Sequence, residues 1–210
     1  MGTLRILAAA LALLPLAAAA REPGQGTIEV SGGSTLGFGS TQREVTTTVG
    51  GTESTSESDV TSMNVSGGVL YYLTSGGGVG LEVAFSSDET TAGSYARAVT
   101  STAIAPKIAG SLPIAEDLSL FGELKVGYQA GSTDTRGSST PGADGRVENA
   151  GLRYAVRGGV KWFPTQDVSL NLGLEYLVTR VTGDLPTGGE QTIRSAGLRG
   201  SAGVSVYFGR

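Results

Sequence analysis

Residues 168–179 read VSLNLGLEYLVT, and this stretch decides the fold because apolar side chains occupy every second position. Successive side chains of a β-strand point to opposite faces of its sheet. One face of this segment is therefore wholly apolar, and the other is mostly small or polar and carries Glu175. The pattern predicts a strand that separates two different environments.

Seven more segments alternate in the same way, and no helical periodicity interrupts them. The eight predicted strands are residues 27–39, 61–73, 79–86, 96–111, 118–129, 151–162, 168–179 and 194–208. The long connections are residues 40–60, 87–95, 130–150 and 180–193, and they alternate with short ones at 74–78, 112–117 and 163–167. This alternation is typical of an outer-membrane barrel with long loops outside and short turns in the periplasm. We predict an all-β fold, an eight-stranded antiparallel up-and-down transmembrane β-barrel.

Apart from Arg194, which begins the last segment and is counted with the preceding loop, all charged residues of these segments fall on one face, which faces the interior if the barrel spans a membrane. They are Glu29, Glu82, Arg97, Lys107, Glu123, Lys125, Arg153, Arg157, Lys161, Glu175 and Arg199. Unpaired buried charges are costly, so we expect a ladder of salt bridges. An eight-stranded interior has room for little more than side chains, which favours a packed interior. The excess of bases leaves open a narrow pore with a mild preference for anions.

Aromatic residues mark both ends of the apolar face, as they do where barrels meet the two membrane interfaces. Those at the long-loop end are Phe38, Phe85, Tyr128, Tyr154 and Tyr176, and those at the short-turn end are Tyr71, Trp162 and Phe208. Two such girdles favour a membrane barrel. A soluble barrel also alternates, with its apolar face turned inward, and it remains an alternative.

Composition excludes several kinds of chemistry. The 210 residues include no cysteine and no histidine, which removes thiolate and imidazole catalysis and the metal sites built on them. We therefore predict no catalytic residues, no metal, no cofactor and no enzyme activity. The formal net charge of −4 gives no basic excess, so nucleic acid is not an expected partner.

The first twenty residues have the pattern of an export signal. Residues 1–20 read MGTLRILAAALALLPLAAAA, with one arginine, an apolar core and a run of alanines before Arg21. The apolar core is too short for a transmembrane helix, which needs about 20 residues. We predict a cleaved signal peptide at 1–20 and a single barrel domain at 21–210.

The last predicted strand ends in SAGVSVYF at residues 201–208. With the whole strand pattern, this ending resembles the small outer-membrane β-barrel proteins of Gram-negative bacteria, of the OmpA, OmpX and opacity types. The resemblance implies an outer-membrane location, and an assembly signal at Gly203, Val206 and Phe208 that the barrel assembly machinery reads. Gly209 and Arg210 depart from the family, whose members usually end at the aromatic residue. Alternatively, Gly203 only relieves crowding within the last strand.

The expected function is structural and surface-exposed: envelope integrity, with possible adhesion through long acidic loops. Residues 40–60 and 130–150 are rich in Thr, Ser and Gly and carry more acidic than basic residues, so an external ligand is expected there if anywhere. The expected partners are outer-membrane lipid and lipopolysaccharide, and the barrel assembly machinery. The alternatives are a small passive pore with a salt-bridged basic lumen and a secreted soluble barrel that binds an apolar ligand.

Overall fold

The computed structural model describes residues 22–36, 41–49, 51–60, 63–92, 95–136, 145–185 and 188–209. They form ten strands: β1 Ile28–Leu36, β2 Thr41–Val49, β3 Thr52–Val60, β4 Met63–Thr74, β5 Gly77–Ala92, β6 Tyr95–Ala115, β7 Leu118–Arg136, β8 Gly145–Trp162, β9 Val168–Asp184 and β10 Glu190–Phe208. These residues contain no helix of the length and apolarity that a membrane crossing would require.

Eight of the strands close into a ring. Each of β4 to β10 pairs antiparallel with its neighbour in the chain, and β1 joins the two ends by pairing with both β4 and β10. The closing seam runs from Ile28 opposite Phe208 to Leu36 opposite Gly200. The predicted eight-stranded antiparallel barrel is confirmed.

The long connection at residues 40–60 is not an open loop, and this prediction was wrong. Its described residues form the hairpin of β2 and β3, and β2 pairs with residues 190–196 of β10, beyond the part of β10 that β1 covers. Val45 of the hairpin is buried against Val181 and Ile193. Apolar–polar alternation did not predict these two strands because they are polar on both faces, although their many threonines favour extended backbone.

The strands also continue beyond the predicted ends at the long-loop side, so much of 87–95, 130–150 and 180–193 is hairpin rather than loop. β5 runs to Ala92, β7 to Arg136 and β9 to Asp184. Alternation fades there because both faces of a projecting hairpin are polar, while backbone pairing continues. At the other end the turns are tight: β4 and β5 are joined by Ser75 and Gly76, and Gly76 has a φ of 71° that favours glycine.

The apolar face is the outer one. Leu172 is 60 % exposed and Val156 is 58 % exposed, whereas the inward Lys125 and Glu175 are at most 2 % exposed. An apolar outer wall around a charged interior is the arrangement of a membrane barrel. It overturns the soluble alternative, in which the same apolar residues would line a ligand cavity. The predicted signal peptide, residues 1–20, lies outside the described residues.

Candidate functional site in the barrel interior

The centre of the interior is held by one lysine between two carboxylates. Lys125 Nζ on β7 donates to Glu82 Oε2 on β5 and to Glu175 Oε2 on β9, both at 2.8 Å. Arg153 Nη2 lies 3.8 Å from the other oxygen of Glu175. In the ring, β5 and β9 each lie two strands away from β7, one on either side. The contacts of Lys125 therefore cross the lumen and do not follow the wall.

A second group surrounds Glu123. Its carboxylate lies 3.7 Å from Lys107 Nζ and 3.6 Å from Arg157 Nη1. The Arg157 Nε donates to Ser201 Oγ at 3.0 Å, and its guanidinium lies 5.2 Å from the ring centre of Phe121. The long basic side chains therefore have carboxylate, hydroxyl and aromatic partners within a narrow space.

Strand register places four of the predicted charges in a row of alternating sign. Glu123 on β7 is opposite Arg157 on β8, which is opposite Glu175 on β9, which is opposite Arg199 on β10. Glu123 and Arg157 of this row form a salt bridge at 3.6 Å, and the contacts of Lys125 add cross-lumen pairs that the expected ladder did not include. A ladder of salt bridges along the whole row stays a prediction. Arg97 is the outlying member, because it lies near the start of β6 towards the long hairpins.

The short-turn end of the interior is closed by a cluster around Glu29. Lys161 Nζ lies 2.8 Å from Glu29 Oε2, and the Tyr72 hydroxyl donates to the same oxygen at 2.6 Å. The Ser205 hydroxyl donates to Glu29 Oε1 at 2.7 Å. Lys161 also donates to the Tyr207 hydroxyl at 3.2 Å. The partner of Glu29 is thus a lysine across the barrel, although Tyr207 is its neighbour in register on β10.

An aromatic layer covers this cluster and was missed by the sequence reasoning. Leu70, Tyr72, Phe163 and Tyr207 are each at most 2 % exposed and form one apolar cluster. A sequence signal was present, because three aromatic pairs stand at the short-turn end: Tyr71-Tyr72, Trp162-Phe163 and Tyr207-Phe208. Strand alternation allows only one member of each pair to face the membrane, so the other must enter the interior or its mouth.

The predicted girdle residues lie on the outer wall at both ends. At the short-turn end Tyr71, Trp162 and Phe208 are 45 to 54 % exposed, and Tyr71 and Phe208 both lie opposite Ile28. At the long-hairpin end Phe85, Tyr128, Tyr154 and Tyr176 are exposed. Phe38 lies outside the described residues.

The residues of the predicted assembly signal lie on the closing seam. Gly203 is opposite Gly33, and a Cβ atom built on Gly203 would lie only 2.8 Å from the carbonyl oxygen of Gly32. Val206 and Phe208 face outward from the end of β10. The close approach at Gly203 is a packing reason for glycine, and recognition by the assembly machinery stays a prediction.

The family to which this chain is similar covers nearly all of its residues. Residues 6–208 match the family model of the outer membrane protein beta-barrel domain. No curated protein sequence matches the chain.

Solved structures give the same fold. Neisserial surface protein A is 16% identical, with a TM-score of 0.53 over 88% of this chain and 100% of that one. The outer membrane protein OprG of Pseudomonas aeruginosa is 10% identical, with a TM-score of 0.55 over 91% of this chain and 100% of that one. The outer membrane protease OmpT of Escherichia coli is 10% identical over 92% of this chain and 99% of that one, and its TM-score of 0.49 is too low to bear on function. The chain belongs to the outer membrane protein β-barrel domain family, whose members reside in the Gram-negative outer membrane.

Proposed function

We propose that this protein is a closed outer-membrane barrel with a structural and surface-exposed role. It strengthens the envelope and holds its long hairpins outside the cell, where they form the contact surface. The observation that carries the proposal is the cluster of Glu29, Lys161, Tyr72 and Tyr207, which fills the interior at the short-turn end. These side chains are at most 3 % exposed.

The rest of the described interior supports a closed barrel. Lys125 joins carboxylates from opposite sides of the lumen, so its contacts span the path that a solute would take. Above this network, a cavity lined by Gln129, Asn149 and Thr179 has a volume of about 40 Å³. This space is far smaller than the clefts of about 300–1,000 Å³ that hold small-molecule ligands.

The long hairpins supply the surface of the proposed role. The β2–β3 hairpin and the projecting parts of β7 and β8 contain the described portions of 40–60 and 130–150, where we predicted an external ligand. Short turns at one end and long hairpins at the other favour an orientation with the hairpins outside. We also propose that the protein is not an enzyme, and the absence of histidine and cysteine supports this.

Conductance across a planar lipid bilayer tests the closed state. We expect the wild-type protein to give no steady current steps, because both the cluster and the Lys125 contacts block the lumen. The variant Y72A/K125A/Y207A removes two rings of the cluster and the lysine that spans the lumen. It serves as the opened form and should conduct, and its heat-modifiable gel mobility checks that it folds.

Steady wild-type steps that rise with salt concentration would contradict the proposal and favour the passive pore. The lumen contains seven basic and four acidic residues among the predicted charges, so that pore would prefer anions.

A further inference from the structure

Two arginines on the outer wall of the barrel are not part of the interior network. Arg180 on β9 and Arg194 on β10 are directly opposite each other, and both are exposed on the outer face. Tyr154, Val178 and Ala196 form the next outward row towards the membrane, and Tyr176 follows in the row after that. The two guanidinium groups therefore border the girdle at the long-hairpin end.

An open groove lies at this position. It has a volume of about 990 Å³ and extends over the outer faces of β8, β9 and β10 to the edge of β2. Its apolar side is formed by Tyr154, Val178 and Ala196 with Leu152 beside Arg180, and its polar side carries Arg180, Arg194 and Glu44. An elongated ligand with an acyl portion and an anionic head would match both sides.

The two adjacent positive charges of Arg180 and Arg194 favour the binding of an anion from outside the chain. Like charges directly opposite on neighbouring strands destabilise a sheet. Among the described residues, no carboxylate lies within salt-bridge distance of either guanidinium. Glu44 on β2 is opposite Arg194 in register, but the contact of its carboxylate in this structure is with the Thr46 hydroxyl at 3.5 Å. Planar guanidinium groups bind phosphate through two parallel hydrogen bonds.

We propose that this groove binds the phosphorylated glycolipid of the outer leaflet. A lipid A phosphate lies between Arg180 and Arg194, and an acyl chain packs along Leu152, Tyr154 and Val178. The inference rests on the proposed orientation, since only hairpins outside the cell place the groove in the leaflet that contains lipopolysaccharide. It adds a specific lipid site to the proposed structural role.

Binding of lipid A to the full-length protein in nanodiscs tests the site. Three probes are compared: lipid A with both phosphates, the same lipid after removal of the phosphates, and inorganic phosphate alone. We expect the intact lipid to bind and R180Q/R194Q to weaken its binding at least about tenfold, since each charge-assisted hydrogen bond contributes a factor of this order. R146Q is the matched control, because Arg146 is an exposed arginine of β8 outside the groove.

The outcomes separate the possibilities. Equal binding of the dephosphorylated lipid, or unchanged binding by R180Q/R194Q, would overturn the lipid site. Binding of inorganic phosphate as tight as that of intact lipid A would show an anion site without lipid and would also overturn it.

The orientation is checked independently with a single introduced cysteine. T48C is placed at an exposed position of β2, and the chain has no other cysteine. A membrane-impermeant maleimide should label it in intact cells. Failure to label would count against the proposed function, whereas loss of lipid binding with normal labelling would count only against the groove.

Discussion

The closing seam depends on glycines at the scale of single residues. A Cβ atom on Gly203 would lie 2.8 Å from the Gly32 carbonyl oxygen, closer than real Cβ atoms approach. We expect G203A to lower the free energy of unfolding by about 1–3 kcal/mol, the usual cost of overpacking. Denaturant unfolding in lipid vesicles measures this, and G32A is the control because a Cβ there meets nothing within 4 Å.

The same variant separates packing from recognition at Gly203. Equal loss of stability in G32A and G203A would contradict the crowding argument. Normal stability of G203A in vitro together with poor insertion in cells would instead favour the assembly-signal hypothesis.

Lys125 is the residue on which the central charges depend. Its ammonium group is buried and contacts both Glu82 and Glu175 at 2.8 Å. We expect K125M to lower the free energy of unfolding by about 3–5 kcal/mol, because two buried carboxylates lose their main cationic partner. The triple variant E82Q/K125M/E175Q should recover most of that loss in the same unfolding measurement. A triple variant as unstable as K125M would show that the lysine acts through packing and not through charge.

At the scale of elements, the β2–β3 hairpin is the part whose attachment can be tested alone. Val45 joins it to Val181 and Ile193 in one buried cluster. We expect V45D to release the hairpin while the ring stays closed, because an aspartate there would be buried without a partner. Limited proteolysis should then cut within residues 41–60, and heat-modifiable mobility should persist. The exposed T48A is the control, and protection of the hairpin in V45D would contradict this attachment.

The ring strands and the hairpin show which elements sequence alone can predict. Residues 168–179 face lipid on one side and the packed lumen on the other, so their alternating apolar and polar side chains predict the strand directly. Residues 41–49 read TQREVTTTV, and both faces of this strand are polar apart from Val45 and Val49, so the stretch carries no such signal. The charge positions were predictable from parity, but the Lys125 contacts depend on which side chains meet across the lumen.

At the scale of the whole molecule, the fold exchanges the usual places of apolar and charged residues. Leu124 and Val156 are 50 and 58 % exposed on the outside, whereas Lys125 and Arg153 are buried inside. The outer wall is therefore suited to lipid only between the two girdles. The described side chains fill the interior at the short-turn end, so the proposed function relies on this wall and on the hairpins above it.

The depth of the lipid-facing band can be tested by placing the same charge at two heights. Leu172 lies between the girdles and is 60 % exposed, whereas Ile114 lies beside the turn that ends β6 and is 50 % exposed. An arginine costs about 2–4 kcal/mol at the bilayer midplane and about 0–1 kcal/mol near an interface. We expect L172R to be destabilised by the larger amount and I114R by the smaller one, measured by denaturant unfolding in vesicles. Similar losses in both variants would mean that the girdles do not bound the lipid-facing band, and that the bilayer covers the turn end as well.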